Sequence, residues 1–447
     1  MAKTVFGYKF GEKTFGINTA GLFCFFGAIF VLLYLGFFPD GVPRTINALI
    51  VLSPAWMPIF GSLIFYRMWV RYRRSWYHQH QPTTLLEIKI PREQRKSPLA
   101  MEAVLSAMFV TFGETTFIDR NILGKTRTWF SLEMVSTEGD VHFYVWTRKF
   151  YAPLFRSHLY AHYPDVEVYE VEDYTKYIPF DLDKYQYYGC DFKLTAADPL
   201  PIKSYIDYGL DQTGAKEEEK TDPLAAVIEF LGSVSKGNHV WLQILIQGHR
   251  GHRKWPWSKR LDVKDKAEEE VTRLLEHAAK RSRKVTGSLL GEEDELGYSS
   301  VNLTESEREQ IKVIYRHAGK LSWDAGVRGL HVSEKDKFNA IFLVGMLAVW
   351  RSFNATYFNA LRYTRYLAGF DYPWQDFGNI MRNWQRRRIY EAYRRRSWFH
   401  EPYKTSPFVL STEELATLYH FPGEVLKTPT APRIPSKRAE PPSNLPV

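Results

Sequence analysis

Two charge-free apolar stretches, residues 14–39 and 45–66, constrain the fold of this chain more than any other feature. A helix needs roughly 20 apolar residues to cross about 30 Å of hydrocarbon, and the first stretch reaches that length. The second contains Pro54 and Pro58, so a kinked span and a shallow re-entrant helix both remain open. Basic residues flank the pair, which by the positive-inside rule predicts a transmembrane helical hairpin in the inner or plasma membrane, with both termini and the soluble domains cytoplasmic. A cleaved signal peptide is disfavoured because a second apolar run follows.

Composition adds little to this expectation. The net charge is +9 and the sequence pI about 9.2, but the flanks of the apolar runs and one arginine-rich segment supply much of that excess. The basic balance is therefore no evidence by itself for nucleic acid. The two cysteines, Cys24 and Cys190, are too few for a disulfide framework or a zinc site, which agrees with a reducing compartment.

Residues 81–178 predict a ferredoxin-like α+β domain. A strand at 84–90 precedes a helix that begins after Ser97-Pro98, two strands flank the turn Glu138-Gly139-Asp140, and a further helix and strand follow. The order β-α-β-β-α-β is the split βαβ unit, which forms a sheet with helices on one face.

The sequence predicts a membrane anchor at residues 1–80, before the ferredoxin-like domain. Three further segments follow that domain. Residues 179–362 predict a second α+β domain, for which a ferredoxin-like arrangement is one alternative. Two of its helices begin at Asp222-Pro223 and Thr304. Residues 363–427 form a basic helical segment. Residues 428–447 are a proline-rich tail, which behaves as a stiff linker because it cannot build a core.

An arginine-rich run is the first candidate for chemistry. Ile380, Trp384, Arg387 and Glu391 recur at helical spacing, which predicts a helix with its aromatic side chains on a buried or lipid-facing side. Guanidinium groups on the other face are suited to phosphates of DNA or lipid, and a solvated face against an acidic partner is an equal alternative. The candidate contacts are Arg382, Arg386, Arg387, Arg388, Arg394, Arg395 and Arg396.

A second basic stretch lies at residues 249–260 and interleaves cations with indoles. It can follow a nucleic-acid backbone, rest on anionic lipid or form an ordinary surface loop, and the sequence leaves all three open. Its candidate contacts are Arg250, Arg253, Lys254, Trp255 and Trp257.

The chain shows no recognisable active site. Residues 123–126 (LGKT) end like a phosphate-binding loop, but position 119 is Asp where that loop needs Gly, so a turn entering a strand is the better interpretation. No catalytic residue, cofactor or metal ligand is predicted, and we expect the chain not to be an enzyme.

Several segments together resemble the region upstream of the motor domain in conjugative DNA-transfer ATPases of type IV secretion systems, of the membrane-anchored variety common in candidate-phyla bacteria. The most specific are residues 410–422 (LSTEELATLYHFP) and 440–446 (EPPSNLP). Shorter ones carry the likeness through residues 80–447, and they are PRE at 91–93, SPLAME at 97–102, FSLEM at 130–134, VHFYV at 141–145, LYAHYP at 159–164, VEDY at 171–174, DPL at 222–224 and WLQILIQ at 241–247.

The resemblance implies a context more than a chemistry, because that upstream region is treated as a domain of unknown function. The nucleotide-binding segments of such ATPases would follow residue 447, so we expect either a motor on a separate polypeptide or a truncated form. The expected function is a membrane-anchored, non-catalytic subunit or adaptor region of a DNA-transfer motor. Expected partners are the lipid bilayer and a P-loop ATPase, with a homo-oligomer and DNA contact left open. The alternative is a membrane scaffold that binds protein or anionic lipid and has no role with DNA.

Overall fold

The computed structural model describes most of the chain after residue 40 and a few residues before it. The described residues are 4–5, 8–9, 26–27, 29–30, 33, 41–91, 96–211, 222–251, 262–289, 303–355, 358–365 and 376–422. The proline-rich tail predicted at 428–447 and most of the first apolar run lie outside them.

The described residues form both helices and strands, in an order that does not alternate regularly, as in other α+β chains. The strands are β1 (Thr4–Val5), β2 (Tyr8–Lys9), β3 (Thr83–Lys89), β4 (Trp129–Thr137), β5 (Asp140–Arg148), β6 (Glu167–Val171), β7 (Tyr185–Leu194), β8 (Asn238–Gly248), β9 (Ser322–Glu334), β10 (Leu361–Arg365) and β11 (Phe408–Ser411). The helices are α1 (Gly41–Val51), α2 (Ser53–Gln79), α3 (Pro98–Ala107), α4 (Phe117–Asn121), α5 (Ala152–His162), α6 (Pro223–Gly232), α7 (Val263–Leu289), α8 (Glu305–Ala318), α9 (Ala340–Ala348), α10 (Ile380–Arg394) and α11 (Thr412–Leu418).

Local sequence explains where several elements begin and turn. Ser97 is the N-cap of α3 and accepts a hydrogen bond from the amide of Leu99, as predicted from Ser97-Pro98. Asp222 caps α6 in the same way. The β4–β5 turn places Glu138 at φ 57° and Gly139 at φ 99°, the left-handed pair that a tight two-residue hairpin requires.

The described residues divide into two compact units. Unit 1 comprises those among Met1–Gln79, Thr115–Thr126 and Leu367–Gln385, and unit 2 comprises the remainder.

The predicted transmembrane hairpin is wrong. No helix among the described residues is both long and apolar enough to cross a membrane. The second apolar stretch is divided at Leu52, where α1 ends after 11 residues and α2 begins. The apolar part of α2 then ends at Arg67, about 21 Å along a helix that rises 1.5 Å per residue.

Unit 2 is built on a nine-stranded antiparallel sheet with the order β10-β7-β9-β8-β4-β5-β3-β6. β11 pairs with β9 beyond the end of β7, so that β9 has β8 along one side and both β7 and β11 along the other. The strands β4-β5-β3-β6 lie in the order of a ferredoxin-like unit. Because β4 also pairs with β8, the strands of the two predicted α+β domains belong to one sheet.

Both faces of this sheet are covered, whereas a ferredoxin-like unit has helices on one face. One face packs against α3, α5, α6, α9 and α11 in the main hydrophobic core. The other packs against Ile389, Tyr390 and Tyr393 of α10. Neighbouring residues Leu86 and Leu85 belong to the two different cores, because side chains alternate across a strand.

Candidate phosphate-binding face

Helix α10 carries the predicted arginine run and is fixed to the sheet by its last two turns. Tyr393 is completely buried, and the Tyr390 hydroxyl donates 2.7 Å to the carbonyl of Ile178. The predicted helix is therefore confirmed. Trp384 is 54% exposed, so of the two predicted settings for its aromatic side chains, buried or lipid-facing, the buried one does not apply to Trp384. The buried aromatic side chains are tyrosines six and nine residues further along the helix.

Four arginines of unit 2 share the solvent-facing side of α10, and we call them the arginine stripe. They stand at the i, i+1, i+7 and i+8 positions that one helix face presents, and all four are exposed. Glu391 lies among them and accepts ion pairs from the last two at 3.2 and 3.1 Å. The stripe consists of Arg387, Arg388, Arg394 and Arg395.

Two other arginines predicted as phosphate contacts, Arg386 and Arg382, do not belong to the arginine stripe. The guanidinium of Arg386 lies 5.5 Å from the ring centre of Tyr188, a cation–π contact beside the helix. Arg382 belongs to unit 1, where its backbone amide donates 2.8 Å to Asp376.

Arg396 does not face solvent at all. It is 1% exposed, and its guanidinium donates to Glu133 at 3.0 and 3.2 Å and to both carboxylate oxygens of Asp173. Burial alone raises the pKa of Asp173, but the charge and hydrogen bonds of Arg396 outweigh it and lower that pKa. The Arg396 prediction as a phosphate contact is thus replaced by a structural role.

The basic stretch at 249–260 is described only at its beginning. Arg250 follows β8 and donates 2.9 Å to the carbonyl of Glu114. The other predicted contacts, Arg253, Lys254, Trp255 and Trp257, lie outside the described residues.

The LGKT sequence is a turn, as its residues indicated. Gly124 adopts φ +67°, and a Cβ there would lie 2.5 Å from the backbone of Arg73 in α2. Lys125 forms an ion pair with Asp119 at 3.0 Å. The lysine that would contact phosphates in a nucleotide-binding loop is held by the Asp that replaces the loop's glycine.

A second cluster of charged residues was missed by the sequence reading. It joins α11 to the rest of unit 2 through three buried carboxylates, Glu102, Glu413 and Glu414. Lys320 binds Glu102 at 2.7 Å and Glu413 at 2.9 Å, and Arg316 binds Glu413 at 3.0 Å. The spacing Ser411-x-x-Glu414 was the available signal, because it is a capping box and α11 uses it as one.

Burial shifts the titration of two groups in this cluster. It raises the pKa of Glu414 to about 7, against the hydrogen bonds that Glu414 accepts from the amides of Ser411 and Ile202. It lowers the pKa of His317 to about 3, so His317 stays neutral while its ring contacts the Ser411 hydroxyl at 2.7 Å. The cluster therefore clamps α11 through charge and hydrogen bonds on three elements.

Comparison with known families matches residues 72–433 to a model described as a domain of unknown function (DUF8128). The match spans most of the chain. This chain belongs to that family. No curated protein matches it. The family description assigns no activity, so the resemblance to conjugative ATPases remains a prediction.

Proposed function

We propose that this chain is a non-catalytic adaptor subunit or region of a DNA-transfer motor, linked through its C-terminal residues to a P-loop ATPase. The sequence resemblance is the origin of the proposal. The structural observation that supports it best is the burial of every residue from 408 to 422, immediately before the predicted proline-rich tail.

This C-terminal segment (residues 408–422) is attached to both halves of the sheet. β11 pairs with β9, and α11 packs on α3. The Tyr419 hydroxyl donates 3.2 Å to the carbonyl of Tyr144 in β5. The ring of His420 contacts Asp222, at the start of α6, at 3.1 Å. Because these contacts reach β9, β5, α3 and the start of α6, a force applied through a tail attached to this segment would act on several parts of the sheet at once.

The arginine stripe supports the role in DNA transfer that the proposal assigns to this chain. Its helix is locked onto the sheet by buried tyrosines, so the four cations stay on one rigid face and can contact successive phosphates. Glu391 forms ion pairs with Arg394 and Arg395 and partly neutralises them.

Coexpression with a P-loop ATPase encoded beside this chain tests the proposal. We expect the full chain to co-purify with the ATPase and a chain truncated after Pro422 to lose it, because the buried segment folds but the tail is missing. The double variant Arg308→Gln/Lys312→Gln, on the exposed side of α8, serves as the control and should retain binding. Retention of the ATPase by the truncated chain, or ATP hydrolysis by the purified chain alone, would contradict the proposal.

A further inference from the structure

Where the side chains of unit 1 are described, none of the hydrophobic ones is buried. All four hydrophobic core clusters belong to unit 2. Unit 1 nevertheless exposes most of the large hydrophobic side chains that the structure describes as exposed. Contiguous apolar surface of this extent marks an interaction site in a folded protein.

The exposed apolar side chains surround α2 rather than forming one stripe. Ile59 and Met68 lie on opposite sides of the helix, nine residues apart, and are 62% and 65% exposed. Phe65, on a third side, is 67% exposed. A protein partner covers one side of a helix, whereas a helix that is apolar all round requires a continuous apolar medium.

The second half of α2 has the composition of a bilayer interface. Four arginines follow the apolar half, and the whole helix contains no Asp or Glu. Trp69, Tyr72 and Trp76 are interleaved with them, and the guanidinium of Arg73 lies 4.9 Å from the ring centre of Trp76. Indoles and guanidinium groups together favour the headgroup region of an anionic membrane.

Helix α4 extends the same apolar surface from a distant part of the sequence. The hydroxyl of Tyr66 donates 2.9 Å to Asn121, and the Arg73 guanidinium donates 2.7 Å to the carbonyl of Ile122. Held in this way against α2, α4 leaves Phe117 68% and Ile118 56% exposed.

We propose that unit 1 docks on an anionic bilayer surface, with the apolar half of α2 and the exposed side of α4 inserted among the acyl chains and the four arginines at the phosphates. The apolar half of α2 is about 21 Å long, short of the roughly 30 Å hydrocarbon thickness, so the helix inserts without crossing. A second copy of the chain is the other possible occupant, but its α2 would bring four more arginines and no carboxylate. This inference goes beyond the proposed adaptor function and does not depend on it.

Depth-dependent fluorescence of the full chain tests this docking. In a Cys24→Ser background, an environment-sensitive label at Phe60→Cys should shift to the blue with vesicles of phosphatidylglycerol and phosphatidylcholine, and lipid-borne quenchers should reduce its emission. The same label at Gln79→Cys should respond little. Cys190 is buried in the sheet and stays unlabelled in the folded protein.

Vesicle binding by variants completes the test. Ile59→Glu/Ile64→Glu should weaken binding at least tenfold, whereas Phe150→Glu, at an 85% exposed position of unit 2, should not. Arg67→Gln/Arg71→Gln should weaken binding to anionic vesicles more than Arg308→Gln/Lys312→Gln, which removes the same charge elsewhere. Equal binding by all variants would overturn the inference. So would a lipid-free dimer that the Ile59→Glu/Ile64→Glu variant converts to monomer, since that result assigns the surface to a second copy.

Discussion

Two adjacent arginines at the end of α10 have opposite environments. Arg395 has a side chain that is 56% exposed, while that of Arg396 is 2% exposed between Glu133 and Asp173. The backbone of Arg396 adopts φ 49°, a left-handed conformation that ends the helix and turns this side chain toward the sheet. A buried guanidinium without its carboxylates would be costly, so the pairing and the turn depend on each other.

Replacing Arg396 should therefore destabilise the protein far more than replacing its neighbour. We expect Arg396→Met to lower the free energy of unfolding by about 3–5 kcal/mol, because Glu133 is left buried without its cation. Arg395→Met should change it by less than about 1 kcal/mol, as for an exposed ion pair. Urea denaturation of both variants measures the difference, and equal losses would contradict a structural role specific to Arg396.

Glu414 should make stability depend on pH in one direction. Its pKa is about 7 in the folded protein against an ordinary 4.5, so between these values the folded state binds more protons than the unfolded state. The contribution of Glu414 to stability then falls as pH rises. The stability of Glu414→Gln relative to wild type should therefore rise as pH increases from 4.5 to 7. The total rise should be up to about 3 kcal/mol, at roughly 1.4 kcal/mol per pKa unit. Above pH 7 the difference should stay constant.

Differences between variant and wild type are the required measurement, because His317 acts in the opposite sense. Its lowered pKa makes its contribution disappear as pH falls from 6.5 toward about 3. His317 is present in both proteins, so the comparison removes the part of its contribution that does not depend on Glu414, whose carboxylate lies 3.7 Å from the His317 ring. Glu305→Gln, at an exposed site, provides the control and should show no such trend. A flat difference for Glu414→Gln between pH 4.5 and 7 would rule out the proposed titration.

At the scale of elements, α10 has two functions on two faces. Its buried face closes the second hydrophobic core through Ile389, Tyr390 and Tyr393, and its exposed face carries the arginine stripe. The stripe can therefore be changed without removing a core contact.

The arginine stripe should contribute to DNA binding in a salt-dependent way. We expect Arg387→Gln/Arg388→Gln to weaken binding of double-stranded DNA and to reduce the slope of log K against log salt by about 2, one unit per lost phosphate contact. Fluorescence anisotropy across a salt series measures both quantities. The α8 variant Arg308→Gln/Lys312→Gln removes the same charge, and an identical effect of the two pairs would show that only net charge matters.

At the scale of the whole molecule, the C-terminal segment completes a sheet whose other strands lie far away in sequence. β11 pairs with β9, more than 70 residues earlier, and α11 packs on α3, about 300 residues earlier. Unit 2 therefore acquires its final core contacts only when its last described residues are in place.

Two truncations should separate the segment from the tail. Removal of residues 408–447 uncovers apolar side chains of the main core, and we expect aggregation or loss of cooperative unfolding. Removal of residues 423–447 alone leaves every described core contact in place, so we expect it to change the free energy of unfolding by no more than about 0.5 kcal/mol. Thermal unfolding followed by circular dichroism compares them. Similar behaviour of the two truncated chains would contradict the role assigned to the segment.

The sequence by itself determined features that depend on residues a few positions apart. The Glu138-Gly139 turn, the caps at Ser97 and Asp222 and the capping box at Thr304 all follow from contacts within four residues, and the structure confirms them. The strand order β4-β5-β3-β6 was equally accessible, because short connections leave few ways to pair these strands.

Only the tertiary structure decided the rest, because those features depend on residues distant in sequence. The apolar content of residues 45–66 predicted a membrane span. In the structure a break at Leu52 divides this stretch into two helices, and Arg67 ends the apolar part of the second. Neither apolar part is long enough to cross a membrane. The spacing of the arginine run predicted a helix, but the positions of Glu133 and Asp173 decided that Arg396 is buried. Pairing of β11 with β9 likewise required the folded sheet, since a strand of four residues, three of them apolar, can pair with many strands.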